Sequence, residues 1–66
     1  MKLTVNDREV EVAHAANLEE LVRELGVPLT GLAAEVAGEV VGSHRFHEIP
    51  VAEGQQVVLV RLVGGG

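Results

Sequence analysis

One helix signature limits most strongly what this 66-residue chain can fold into. Asn17 stands at the N-cap position, with Glu20 three residues later as in a capping box. Gly26 occupies the position where helices commonly end, and Pro28 blocks continuation. Between them, apolar residues recur at the i, i+3, i+4 and i+7 spacing of one helix face: Leu18, Leu21, Val22 and Leu25. The sequence therefore predicts one main helix with strands on either side.

The residues before the helix alternate between apolar and polar side chains, which is typical of strands. Two such runs cover residues 2–6 and 9–13. Asn6 and Asp7 between them favour a tight turn, so we expect a hairpin with its charged side chains on a solvated face.

The residues after the helix contain two further strand regions. Residues 32–41 form one, in which Gly38 predicts a turn or a bulge. Residues 43–48 predict a short helical turn or an irregular link. The last strand, over residues 56–62, is apolar on both faces, which indicates a central strand that is buried on both sides. The expected core is Leu3, Val5, Val10, Val12, Leu18, Leu21, Val22, Leu25, Val36 and Phe46, with part of the last strand.

This order of elements predicts an α+β protein with the β-grasp fold. A mixed sheet of four to five strands would pack on one main helix. The last strand would lie parallel to the first, because the hairpin and helix supply the crossover length. We assign residues 1–63 to this domain and residues 64–66 to a flexible C-terminal glycine tail.

The charge balance argues against several classes of partner. Ten acidic residues against five basic ones give a net charge of −5, which disfavours a nucleic-acid-binding face and an anionic membrane surface. No apolar stretch approaches membrane-spanning length, and the first residues resemble a strand rather than a signal peptide. We therefore expect a cytoplasmic protein that is monomeric when free and binds neither nucleic acid nor membrane.

Three glycines, Gly64, Gly65 and Gly66, follow the last strand after one further residue, Val63. Glycine lacks a Cβ and adopts a wide range of backbone angles, so such a tail could thread a narrow channel into another protein's active site. An ordinary disordered chain end is the alternative interpretation. A phosphate-binding loop is excluded, since no Lys-Ser/Thr pair follows and no helix begins there.

The side chains beside the tail form a candidate partner-binding surface. If Val57 faces the helix, Val58 and Val60 form an outer apolar patch, while alternation counted from Arg61 favours the opposite orientation. Arg61 could pair with an acidic partner or be an ordinary exposed charge, and Leu62 joins it as a candidate contact.

The histidines are the remaining candidates for a chemical site. His44 and His47 have the i, i+3 spacing of one helix face, and Glu48 and His14 are the further candidates to join them. No recognised ligand motif accompanies them, so we expect surface or partly packed histidines, no metal and no catalytic side chain.

Several segments of the sequence together carry a family resemblance. They are the first strand together with residues 5–8 at its end, the helix at 18–25, the segments at 40–42, 45–48 and 51–57, and the last residues, 62–66. With these, the chain resembles the ThiS family of small ubiquitin-like sulfur carriers of bacterial thiamin biosynthesis. One departure is Gln55, where the family pattern leads us to expect Asp in the turn before the last strand.

The resemblance implies a protein co-substrate rather than an enzyme. A ThiF-like adenylating enzyme would use ATP to convert the Gly66 carboxylate into an acyl-adenylate. Sulfur from a cysteine desulfurase or a persulfide relay would displace AMP, and a ThiG-like thiazole synthase would accept sulfur from the resulting thiocarboxylate. The carrier would bind no cofactor itself, and Val58 and Val60 would lie on the outer face. Because the chain has no cysteine, no thiol side chain could carry the sulfur instead.

Two other functions stay open. A related carrier for molybdopterin synthesis or tRNA thiolation, or one conjugated to protein lysines, would use the same activation chemistry. A non-carrier β-grasp interaction module would contain the glycines as the remnant of a linker.

Overall fold

The computed structural model describes residues 1–62 of the chain. Within that range the strands form one mixed sheet in the order β2-β1-β5-β3-β4. The elements, in chain order, are β1 (Lys2–Val5), β2 (Arg8–Glu11), helix α1 (Leu18–Leu25), β3 (Leu32–Val36), β4 (Glu39–Gly42), the 3₁₀ helix η1 (Ser43–Glu48) and β5 (Gln56–Arg61). This arrangement confirms the predicted β-grasp fold.

The first hairpin is confirmed, with shorter strands than the sequence predicts. Asn6 and Asp7 have φ angles of 51° and 66°, the left-handed conformation that two-residue hairpin turns favour. Antiparallel pairing runs from Lys2↔Glu11 to Val5↔Arg8. The turn therefore sets the register of β1 against β2.

Helix α1 begins and ends where the sequence predicts. The Asn17 side-chain oxygen accepts a hydrogen bond from the Glu20 amide at 2.8 Å, and Gly26 ends the helix with φ 77°. One detail differs from a capping box, because the Glu20 carboxylate accepts from the amide of Ala16 at 2.8 Å instead of from that of Asn17. Two of the amides near the start of the helix are thus satisfied by side chains.

The N-cap at Asn17 gives a first prediction. Asn17→Ala is expected to lower the free energy of unfolding by about 1 kcal/mol, because it leaves the Glu20 amide without its side-chain acceptor. Thermal or urea unfolding followed by circular dichroism measures the loss. Asn17→Ser keeps a capping oxygen and should recover most of the stability. Equal losses in both variants would show that the capping hydrogen bond is not the cause of the loss.

Residues 32–42 form a second hairpin, so the structure has the turn, not the bulge, of the two alternatives that Gly38 predicts. Ala37 and Gly38 form the turn between β3 and β4, with φ angles of 53° and 82°. Gly38 is the turn residue that the sequence predicts. Ala37 gave no such signal, because a residue with a Cβ is uncommon in the left-handed region.

The core lies between α1 and one face of the sheet. Phe46, carried by η1, is fully buried there, and η1 packs against α1. Every residue of the expected core is buried except Val10 and Leu25, which are partly buried. Further buried residues are Ala15, Leu32, Ala33, Ala34, Val41 and Val57. The small side chains on β3 allow close packing in the middle of the sheet.

Strand β5 occupies the centre of the sheet, as the sequence predicts. It pairs parallel with β1 through Val5↔Val57 and antiparallel with β3 along its length. The expectation that it is buried on both sides is wrong. Helix α1 covers only one face of the sheet, and Val58 and Val60 on the opposite face are 43% and 47% exposed.

Candidate functional site

The orientation of β5 decides which of its valines are accessible. Val57 is 1% exposed and faces the core, so the alternation of a strand turns Val58 and Val60 to the other face. Leu62 continues this alternation just beyond the strand and is 62% exposed. Of the two orientations that the sequence allows, the structure has the one with Val58 and Val60 outward.

A fourth apolar side chain extends this face across the sheet. Glu35 of β3 pairs with both Val58 of β5 and Val40 of β4, and residues opposite each other in an antiparallel pair share a face. Val40 is 70% exposed. We call the four large exposed hydrophobic residues of the described chain the outer apolar face: Val40, Val58, Val60 and Leu62. Val40 was not a predicted contact, because a turn and a bulge at Gly38 were both open and only the turn places Val40 on a separate strand opposite Glu35.

An exposed apolar cluster of this kind is typical of a protein-binding surface. Glu35 lies between Val40 and Val58 and is itself exposed. The surface therefore presents aliphatic side chains around one carboxylate. Such a surface is complementary to an apolar partner surface that carries a basic group.

Arg61, a predicted partner contact, is engaged within the chain. Its guanidinium donates hydrogen bonds to the carbonyl oxygens of Thr30 at 2.7 Å and Pro28 at 3.3 Å. Both carbonyls belong to the loop that follows α1. The next amide, that of Leu62, donates to the carbonyl of Gly31 at 2.6 Å. The end of β5 is thus bonded to this loop on one side.

Asn6 bonds to the same strand from the opposite side. Its side-chain oxygen accepts from the Leu59 amide at 2.7 Å, and its side-chain nitrogen donates to the Leu59 carbonyl at 3.3 Å. The sequence identified Asn6 only as a turn residue. Its second role could not be found there, because the two residues are 53 positions apart.

The remaining candidate residues do not form a site in the described part of the chain. His14, His44 and His47 are exposed, as expected, and the nearest carboxylate contact joins His47 to Glu48 at 3.6 Å. Residues 1–62 contain no group of three or more His, Cys, Asp or Glu side chains placed to hold a metal. None of the helices described there has the length and apolar character needed to cross a membrane. Gly64, Gly65 and Gly66 lie outside the described residues.

Known structures share both the fold and part of the sequence. The crystal structure of the thiamine biosynthesis protein ThiS from Geobacter metallireducens has a TM-score of 0.80 and 33% identity, with all of both chains covered. An NMR solution structure of a thiamine biosynthesis protein from the same organism has a TM-score of 0.72 and 33% identity. That match covers all of this chain and 88% of the other.

Sequence comparison extends the similarity to a larger protein. A thiazole synthase from Paramagnetospirillum magneticum is 32% identical over 66 residues, and the chain spans 20% of that protein's length. The sequence model of the ThiS family matches residues 1–66, the full length of this sequence. This chain therefore belongs to the ThiS family.

Proposed function

We propose that this protein carries sulfur for thiazole formation in thiamin biosynthesis, with Gly66 as the residue that bears the sulfur. Membership of the ThiS family and full-length similarity to a thiamine biosynthesis protein support a sulfur-carrier role. One structural observation carries the proposal furthest. Strand β5 bears Val58 and Val60 on its exposed face and leads directly towards the glycine sequence.

The activation chemistry takes place at the Gly66 carboxylate. On a ThiF-like enzyme, a carboxylate oxygen attacks the α-phosphorus of ATP, which forms an acyl-adenylate and releases pyrophosphate. The terminal sulfur of a persulfide, formed with a cysteine desulfurase, attacks the carbonyl carbon, and AMP leaves. A thiol then cleaves the sulfur–sulfur bond, which leaves a disulfide on the donor and a thiocarboxylate on Gly66. The adenylate is needed because a free carboxylate is a poor electrophile.

The carrier contributes recognition to this chemistry, and the partner enzymes contribute catalysis. Val58, Val60 and Leu62 would be buried against an apolar surface of the partner, with a basic group placed opposite Glu35. Gly64 and Gly65 have no side chains, so they would fit a channel too narrow for other residues. ATP is consumed by the partner and is not a cofactor of the carrier.

A thiazole synthase is the proposed acceptor of the sulfur. In the Paramagnetospirillum magneticum relative, a segment similar to this chain makes up a fifth of a protein named thiazole synthase. Linking a carrier to its acceptor raises their effective concentration, so the occurrence of such a segment supports a ThiG-like partner.

Intact-protein mass spectrometry tests the proposal. The protein is incubated with ATP, a ThiF-like enzyme, a cysteine desulfurase and cysteine, and then fragmented. We expect the mass change of one oxygen replaced by sulfur, located at Gly66, and no change without ATP. Adding a ThiG-like thiazole synthase with its substrates should reverse the change. As a positive control, the same enzyme is incubated in parallel with its own carrier. An unchanged mass of this protein, when that control carrier is modified, would contradict the proposal. Reversal only by a molybdopterin or tRNA-thiolation partner would reassign the pathway.

A further inference from the structure

We propose that Asn6, Gly31 and Arg61 are positioning residues that fix the end of β5 and so aim the following residues at the adenylating enzyme. We call these three residues the root clamp. The inference rests on the proposed function, since the group being aimed is the Gly66 carboxylate. It assigns Arg61 a role within the chain, in place of the contact with an acidic partner considered from the sequence.

The first part of the root clamp is the side chain of Asn6. Backbone pairing between β1 and β5 reaches Val5↔Val57, and the Asn6 amide then donates to the Val57 carbonyl at 3.0 Å. The Asn6 side chain adds two further hydrogen bonds to β5, because its oxygen accepts from the amide of Leu59 and its nitrogen donates to the Leu59 carbonyl. It therefore continues the parallel ladder beyond the point where β1 has turned away.

The second part is the guanidinium of Arg61. A planar guanidinium can donate to two acceptors at once in a fixed geometry, and here it joins the carbonyls of Pro28 and Thr30. The loop that carries them is itself held, since Leu29 packs against the core and its carbonyl accepts from the Leu32 amide at 3.1 Å. Arg61 thus ties the end of β5 to a supported part of the structure.

The third part is Gly31, which lets the chain approach closely. Its carbonyl accepts from the Leu62 amide at 2.6 Å, and its φ angle of 70° is one that residues with a Cβ rarely adopt. A Cβ at position 31 would lie 3.1 Å from the Leu62 carbonyl oxygen, which is tighter than ordinary contact. A side chain here would push Leu62 away.

The three parts hold β5 along both of its edges, one towards β1 and the other towards β3. Asn6 acts from the β1 side, and Arg61 and Gly31 act through the loop before β3. Orientation of a reacting group contributes strongly to rate, and a misplacement of about 1 Å can cost about 100-fold. None of these bonds uses a side chain of the outer apolar face. Asn6 and Arg61 can therefore be changed without altering the two docking side chains of β5, Val58 and Val60.

Steady-state kinetics of pyrophosphate release by a ThiF-like enzyme test the aiming role. Arg61→Lys keeps the positive charge but loses the planar guanidinium that donates to two carbonyls at once. We therefore expect kcat to fall about tenfold while KM changes less than about threefold. Asn6→Gly removes the amide without strain at a positive φ angle, and it should act in the same direction. Arg45→Lys, at another exposed arginine, is the matched control and should leave both constants unchanged.

Amide hydrogen exchange gives a readout that does not depend on the enzyme. The Leu62 amide should be protected in the unmodified protein and should exchange faster in Arg61→Lys, with the α1 amides unchanged. Unchanged protection, or a rise in KM at constant kcat, would overturn the root clamp and favour Arg61 as a docking contact. Failure of the unmodified protein to be adenylated would overturn the proposed function together with the aiming role. Adenylation of Arg61→Lys at the same rate as the unmodified protein would overturn the root clamp alone.

Discussion

Replacing both Val58 and Val60 with aspartate is expected to lower kcat/KM for adenylation by at least about 100-fold, or ~2.7 kcal/mol. The two side chains are 43% and 47% exposed on the outer apolar face, and in the proposed complex they become buried against the partner. A few central contacts of an interface each contribute about 2 kcal/mol or more, and each carboxylate adds the cost of its own desolvation. Pyrophosphate release measured over a range of carrier concentrations gives the ratio.

The control for this variant separates contact from added charge. Val40→Asp places one carboxylate on the same face of the sheet, two strands and about 10 Å from β5. We expect less than about a threefold effect from it, because the proposed contact is centred on β5. A wild-type rate for the double variant would show that docking uses another surface. A comparable loss in Val40→Asp would show that charge or a wider interface is responsible. Circular dichroism establishes that each variant is folded.

The elements that could be predicted from the sequence are those fixed by local chemistry. Asn17 and Gly26 mark the two ends of α1 because capping and the left-handed terminus depend on residues only a few positions apart. Asn6-Asp7 marks the first turn for the same reason. Two non-local features were also predicted: the parallel pairing of β5 with β1, from the crossover length, and the central place of β5, although the burial on both faces from which that place was inferred is not observed.

The orientation of β5 could not be decided from its composition. Valines occupy both parities of the strand, and alternation counted from Arg61 favours the face that the structure does not expose. The family resemblance favoured Val58 and Val60 outward, and the tertiary structure gives the physical reason, because α1 covers the face that contains Val57. At the second turn Gly38 gave a signal and Ala37 gave none, since the hairpin holds an alanine in a left-handed conformation that residues with a Cβ rarely adopt.

The support around the end of β5 depends on contacts distant in sequence. Arg61 reaches carbonyls 31 and 33 positions earlier, and Asn6 bonds a strand 53 positions later. Backbone carbonyls are present at every residue, so nothing in the side-chain pattern identifies which ones an arginine will bind. The sequence could identify Arg61 as a residue of interest, but its partners required the fold.

The largest effect is expected from Gly65→Phe, which should lower adenylation by at least about 1,000-fold. In the proposed mechanism the carboxylate of Gly66 must reach the α-phosphorus of ATP through a channel that accepts only backbone. A benzyl side chain one residue earlier cannot enter such a channel, whereas Gly65→Ala adds a single methyl group and should retain partial activity. The rate of acyl-adenylate formation is measured for both variants as pyrophosphate release under saturating ATP.

Competition distinguishes a blocked channel from a damaged carrier. The outer apolar face of Gly65→Phe is unchanged, so this variant should still dock and should inhibit adenylation of the wild-type carrier competitively. Its inhibition constant should lie within about threefold of the wild-type KM, whereas the aspartate double variant should inhibit weakly or not at all. Wild-type turnover of Gly65→Phe would contradict the channel. Loss of turnover without inhibition would show that the glycines contribute to docking itself, and the outer apolar face alone would then not account for recognition.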